Sequence, residues 1–284
     1  MQDTVSPNGR QRARTAARGT RWLVGSVDLE MLARGPESDA SLLFLHDLDY
    51  LNGTDYPFIE HLAEQRRVLS PSHPGFGNSS LPLDFDRIDD FAYVYLELLR
   101  EIGPAHVMGC GFGGWIAAEM AIRCTHDIRS LTLVDALGIK VSDRTAPDIA
   151  DMFVVSPTEL VKLSWHDSDR GNAEMPLPLA NRGFDEEALT VLLNNRRTAA
   201  LVGWNPFMHH PKLRTHLSRI DRPCLVVWGA SDGIVSPAYG RVFAEAIPNA
   251  RFELIEAAGH YPYLEQPSTF MSVVESFLAG VQRE

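Results

Sequence analysis

Two kinds of apolar pattern alternate along this chain. Short runs centred on Ser41-Leu42-Leu43-Phe44-Leu45, Arg67-Val68-Leu69-Ser70, Ala105-His106-Val107-Met108, Ser130-Leu131-Thr132-Leu133-Val134, Cys224-Leu225-Val226-Val227-Trp228 and Phe252-Glu253-Leu254-Ile255 have the length and content of strands, several of them apolar enough to be buried on both faces. Between them lie amphipathic stretches. Phe91 to Leu99 carries apolar residues at helical spacing and stops before Gly103-Pro104. Trp115 to Arg123, Tyr239 to Ala246 and Thr269 to Leu278 read as further helices, and Trp22 to Val24 with Val27 to Ala33 as an opening hairpin. Strands alternating with helices predict an α/β fold: a mostly parallel, eight-stranded sheet with helices on both faces.

One segment breaks the rhythm. From about Leu137 to Ser218 there is no strong strand signal, only helical stretches around Pro157 to Leu163 and Glu186 to Thr198, with a Pro/Gly/Asn-rich link at Gly171 to Gly183. Eighty residues are too many for a structureless loop in a compact domain. The expectation is a helical lid inserted after the sixth strand. The domain reading is therefore a frayed tail over 1–19, a core over 20–136 and 219–284, and a lid over 137–218.

Composition narrows the function classes. The 284 residues carry a formal net charge of −11, which repels phosphate backbones and anionic lipid, so neither nucleic acid nor a membrane surface is expected as a partner. Cys110, Cys124 and Cys224 are too few and too scattered for a disulfide framework or a metal site, which fits a reducing cytoplasm. No apolar run approaches the ~18–20 residues of a membrane span. No cofactor or metal is implied; the expected partner is a small molecule, and a homo-oligomer stays open.

The strongest chemical signal is Val107-Met108-Gly109-Cys110-Gly111-Phe112-Gly113-Gly114-Trp115, placed between a strand and a helix. A G-x-S-x-G turn in that position holds a nucleophile in a strained backbone conformation. Here the central residue is Gly111. Three further patterns sit after successive strands: His46-Asp47-Leu48, His73-Pro74-Gly75-Phe76-Gly77 and Trp228-Gly229-Ala230-Ser231-Asp232; Ala258-Gly259-His260 follows the last. Together these motifs resemble the α/β-hydrolase fold superfamily, of serine type with a lid, over about residues 21–280. The resemblance implies that Asp232 is the acid, His260 the base, and the amides of Leu48 and Phe112 an oxyanion hole, with Gly111 at the nucleophile position. Asp135 is a rival acid; His46 and His73 read as structural, and Cys110 as a buried core thiol rather than a replacement nucleophile.

Glycine at 111 keeps the turn and removes both its strain and its hydroxyl. Two explanations stay open. Either this is a serine hydrolase, acting on a carboxylic ester or a C–C bond, inactivated by Ser→Gly; or the glycine is native and His260–Asp232 works as a general base in cofactor-free chemistry, or the pocket only binds. Relatives of this fold that open epoxides or remove halides carry aspartate at the elbow tip, which this chain does not, so a serine-type, carbonyl-directed ancestor is preferred. In the lid, Trp204, Phe207, Met208 and His209 form the richest aromatic stretch and suit an apolar or aromatic ligand.

Overall fold

The computed structural model describes residues 19–37, 41–48, 56–174 and 186–281. The tail over 1–18, most of the loop after the third strand and the link over 175–185 lie outside them. The elements run β1 (Thr20–Val24), β2 (Val27–Arg34), β3 (Leu42–Leu45), α1 (Pro57–Ala63), β4 (Val68–Pro71), α2 (Ile88–Ile102), β5 (Ala105–Cys110), α3 (Gly111–Arg123) and β6 (Ile128–Val134). Then come α4 (Pro157–Ser164), α5 (Ser168–Glu174), α6 (Glu186–Gly203), α7 (Leu213–His216), β7 (Cys224–Gly229), α8 (Pro237–Glu245), β8 (Arg251–Ile255), α9 (Pro262–Glu265) and α10 (Pro267–Val281).

The eight strands form one sheet in the order β1-β2-β4-β3-β5-β6-β7-β8. β2 pairs antiparallel with β1 and β4, and every pair from β4 to β8 is parallel. The central strands are apolar throughout because alternate side chains enter two different cores. Leu43, Leu45, Val107, Leu131, Leu133 and Val226 pack with α2, α3 and α8 on one face. Leu42, Phe44, Met108, Val134, Leu225 and Val227 pack with Phe58 and Leu62 of α1 and with Phe270, Val274 and Leu278 of α10 on the other.

Helix α2 shows the predicted stripe: Ile88, Phe91, Ala92, Tyr95, Leu98 and Leu99 are buried, and Gly103 ends the helix with φ 83° while its N–H bonds Leu99 O. Helix α3 has no polar face; residues 111–122 are all buried between the sheet, α2 and α7. Its glycines and alanines allow that packing: a Cβ on Gly113 would collide with the backbone carbonyls of Leu45 and His46. Helix α1 escaped the sequence reading because seven residues with four apolar ones carry little periodicity. The link expected from Gly171 begins instead inside α5, which runs to Glu174.

The inserted helices α4 to α7 are pinned to the core at several points. Gly233 N–H bonds Leu163 O at 2.8 Å, and His260 N–H bonds Ser164 O at 2.7 Å. Thr198 donates to Gly75 O, and Gly77 N–H donates to Asn195 Oδ1. Tyr239 accepts the Ile139 N–H and donates to its carbonyl.

Candidate active site

Strands β3, β5, β6, β7 and β8 all end on one edge of the sheet, and their following loops carry Asp47, Gly111, Asp135, Asp232 and His260. Asp232 is fixed by its own loop: Oδ1 accepts the N–H groups of Ile234 (2.8 Å) and Val235 (3.1 Å), which turns Oδ2 to His260 Nδ1 at 2.7 Å. The loop of His260 is held by Glu265, which the sequence reading did not single out. The Glu265 carboxylate accepts the N–H groups of Gly259 (2.6 Å), His166 (3.1 Å) and Asp167 (3.0 Å), so one buried acid ties the histidine loop to the segment between α4 and α5.

The larger surprise is Asp47. Gly111 has φ 51°, the left-handed conformation that an elbow tip demands and glycine adopts freely. The space beyond its Cα is filled by the Asp47 carboxylate: a Cβ added there would lie 2.6 Å from Oδ2 and nearer still to Cγ and Oδ1. Oδ1 accepts the Phe112 N–H at 2.7 Å. Oδ2 lies 3.3 Å from His260 Nε2. The Phe112 amide expected to hold a substrate oxyanion therefore holds Asp47, and the histidine sits between two carboxylates.

The Asp47 loop is itself held by a pair of stacked imidazoles, His46 and His73, with centroids 3.9 Å apart. His46 Nδ1–H donates to Asp47 O (2.7 Å), and its Nε2 accepts the His73 N–H (3.2 Å). His73 Nε2–H donates to His46 O, and its Nδ1 accepts the Tyr95 hydroxyl at 2.6 Å. Burial pushes the His46 imidazole down to about 4 and that of His73 well below its ordinary value, so both are neutral and can alternate as donor and acceptor. Neither reaches the acid–histidine pair with a ring nitrogen.

Electrostatics follow from this arrangement. Burial would lower the His260 pKa, but the carboxylates of Asp232 and Asp47 outweigh it and raise it well above the usual range, so His260 is an imidazolium at neutral pH. Burial would raise the Asp47 carboxyl, but His260 and the Phe112 and Leu48 amides hold it below its ordinary value. Burial and the nearby Asp232 charge push Asp135 well up; its Oδ1 accepts the Gly229 N–H at 2.9 Å and its Oδ2 is buried without a hydrogen-bond partner among the described residues. Burial, with Asp47 and Asp135 beside it, also pushes the Cys110 thiol well up, which leaves no thiolate for chemistry.

Asp135, Asp232 and His260 are the only group of metal-ligand type among the described residues, with donor atoms within 4.8 Å of one another. Their closeness is that of hydrogen bonding, since Nδ1 and Asp232 Oδ2 already satisfy each other at 2.7 Å. The neutral Asp135 yields a prediction. A native pKa raised above the unfolded one means that stability falls as pH rises from about 4 toward the folded value, by about 1.4 kcal/mol per pH unit. Asp135→Asn keeps the Gly229 bond with a side chain that cannot ionise, and so carries no such penalty. Urea unfolding should show the variant gaining on the wild type between pH 5 and pH 8; parallel curves would show that Asp135 is ionised.

The aromatic stretch from Trp204 to His209 sits elsewhere. Trp204 is 52 % exposed and contacts Phe153 and Phe207 at 6.1 and 5.9 Å between centroids. Met208 is fully buried beside Gly203 and Trp115, and His209 Nδ1 donates to Phe207 O. Among the described residues no ring contact or hydrogen bond joins Trp204, Phe207, Met208 or His209 to Asp47, Asp232 or His260. The rings that do approach are Tyr261, 5.4 Å from His260, and Trp165, 5.5 Å from Tyr261.

A parallel sheet with a glycine-tight strand–helix turn, an acid after β7 and a histidine after β8 defines the hydrolase-type α/β architecture. The profile of the alpha/beta hydrolase family matches residues 42–273, and the chain belongs to that family. It is 25 % identical over 258 residues to the pimeloyl-[acyl-carrier protein] methyl ester esterase of Aeromonas hydrophila, covering 89 % of this chain and 99 % of that one. It is 27 % identical over 228 residues to the 2-hydroxymuconate semialdehyde hydrolase of Pseudomonas putida, covering 76 % and 78 %. Among solved structures, a bacterial membrane phospholipase A superposes with TM-score 0.75 at 22 % identity over 93 % of this chain and 86 % of that one. A meta-cleavage product hydrolase from Pseudomonas fluorescens IP01 does so with TM-score 0.70 at 19 % identity, over 93 % and 98 %. Relatives thus include esterases and C–C hydrolases. No helix among the described residues is long and apolar enough to cross a membrane.

Proposed function

We propose that this chain is a small-molecule hydrolase that works without an elbow nucleophile, with Gly111 native and proton transfer carried by His260 under the hold of Asp232 and Asp47. The observation that carries this reading is the Asp47 carboxylate in the space a side chain at 111 would take. A serine hydrolase stripped of its hydroxyl would keep a neighbourhood shaped for serine. Here two features, glycine at the tip and the aspartate that follows His46, are sterically matched. The relatives named as a methyl ester esterase and a semialdehyde hydrolase support a small organic substrate. An acyl route through this site is disfavoured, because a carbonyl oxygen would have to displace a carboxylate that already holds the Phe112 amide.

The test compares wild type with His260→Ala on p-nitrophenyl acetate and on styrene oxide. Wild type should turn over at least one of them, and the variant should lose about 10²- to 10⁴-fold, the usual share of a positioned acid–base group. Equal turnover by the two proteins would remove His260 from the reaction, and no turnover by either would place the chain among binding proteins.

A further inference from the structure

We propose that Asp47 is the nucleophile of this site, its Oδ2 attacking a saturated ring carbon of an epoxide while Oδ1 stays against the Phe112 amide. This rests on the serine-free reading above and supplies its chemistry. The two oxygens of Asp47 are already differentiated. Oδ1 is fixed by the Phe112 N–H at 2.7 Å, and Oδ2 faces His260 Nε2 at 3.3 Å. The carboxyl occupies the head of α3, next to the left-handed turn at Gly111, where a side chain of the elbow itself would stand. The side chain retains 9 % exposure against 2 % for His260, so Asp47 is the more accessible of the pair.

The class of electrophile follows from what a carboxylate does well. Attack on a carbonyl would produce an anhydride, and would need the Phe112 amide to receive a new oxyanion while Oδ1 holds it. Attack on a saturated carbon produces an ordinary ester and no tetrahedral oxyanion in that step, so Oδ1 keeps its place. The Asp47–carbon bond forms, the ring C–O bond breaks, and the resulting alkoxide takes up the proton that the His260 imidazolium gives up. Esterification also removes one of the two negative charges that hold that proton, so His260 becomes the base that the next step needs. It takes a proton from water, the hydroxide adds to the Asp47 ester carbon, and the oxyanion develops on Oδ1, already at the Phe112 amide. Collapse expels the diol alkoxide, which takes the proton of the regenerated Asp47 carboxyl. Asp47 carboxylate and His260 imidazolium are restored, and the sum is epoxide plus water giving a vicinal diol, with nothing oxidised or reduced.

Two measurements test this. His260→Gln removes the base of the second step and leaves the alkoxide of the first to take its proton from water; with excess styrene oxide it should slowly accumulate one covalent adduct of the mass of the epoxide, on the peptide containing Asp47. The adduct should be absent from the double variant Asp47→Asn/His260→Gln. In case His260→Gln fails to fold, wild type in excess over styrene oxide is run in water enriched in heavy oxygen. The first-turnover diol should then be unlabelled and the Asp47 carboxyl labelled. A labelled diol with unlabelled Asp47 means that water attacks directly, which overturns the nucleophile and leaves the general-base reading standing. No diol and no adduct also overturns the nucleophile, making Asp47 only a fixed cap on α3; the serine-free reading is then decided by the ester arm of the preceding test.

Discussion

Gly111→Ser alone is expected to lose stability and gain no esterase activity, whereas Gly111→Ser combined with Asp47→Gly gains hydrolysis of p-nitrophenyl acetate. The single change places a Cβ within 2.6 Å of Asp47 Oδ2 and closer to Cγ and Oδ1, which no rotamer of serine relieves. It also puts an L side chain at φ 51°, a strain on the order of 1–3 kcal/mol. Asp47 must leave the Phe112 amide and the His260 imidazolium, and breaking such a buried pair costs about 3–5 kcal/mol. In the double variant Asp47→Gly clears that space and frees the Phe112 amide for a carbonyl oxygen. Serine then meets His260 Nε2, whose Nδ1 is already held by Asp232. Freeing that amide alone should raise the rate about 10²- to 10³-fold over Gly111→Ser. Thermal unfolding and ester hydrolysis of the four proteins in the cycle measure this. Full esterase activity in the single variant would show that Asp47 yields freely and that the site is a disabled serine hydrolase after all.

This pairing marks the boundary of what the sequence made legible. The sheet, the hairpin, α2, α3 and the loops carrying Asp232 and His260 could be read because each depends on residues close in the chain. Continuous runs such as 42–45 and 224–228 signal strands covered on both faces, and Gly103-Pro104 ends a helix wherever it occurs. Asp47 could be placed, but only as the neighbour of the Leu48 amide. Its side chain matters through a contact with Phe112, 65 residues away, which no local pattern encodes. The available signal was the coincidence of Gly111 at the tip with Asp47 in the loop before Leu48, and only Gly111 was weighed. Glu265 was missed for the same reason, since its partners at 166, 167 and 259 come from the segment between α4 and α5 and from the histidine loop. The aromatic stretch from Trp204 to His209 was read by composition, which gives chemistry without direction; its rings pack with Phe153 while Tyr261 stands next to the histidine.

Removing Asp47 should change stability in a way that depends on pH, and the direction follows from the two shifts. The native pKa of His260 is raised above 6.5, so the stabilisation from its imidazolium is complete below that value and is lost as pH climbs through the raised one. The native pKa of Asp47 is lowered below 3.8, so its contribution is complete above that value and is lost as pH falls through the lowered one. The pair is therefore fully formed between about pH 4 and 6.5. The charged or titratable groups facing the imidazole are Asp47 at Nε2 and Asp232 at Nδ1, with neutral Asp135 behind Asp232. Asp47→Ala should cost about 3–5 kcal/mol in that window. Asp47→Asn should cost less, because its amide oxygen still accepts the Phe112 N–H. Its NH₂ group then points at Nε2, which can accept it only as a neutral imidazole with the proton on Nδ1. His260 should consequently titrate at lower pH in Asp47→Asn than in wild type. Between those two titrations the stability gap closes by about 1.4 kcal/mol per pH unit. Urea unfolding from pH 5 to 10, with NMR titration of the His260 ring, reads both effects. A pH profile identical in the two proteins would mean that Asp47 does not hold the imidazolium, and with that the charge logic that lets His260 alternate between acid and base would be gone.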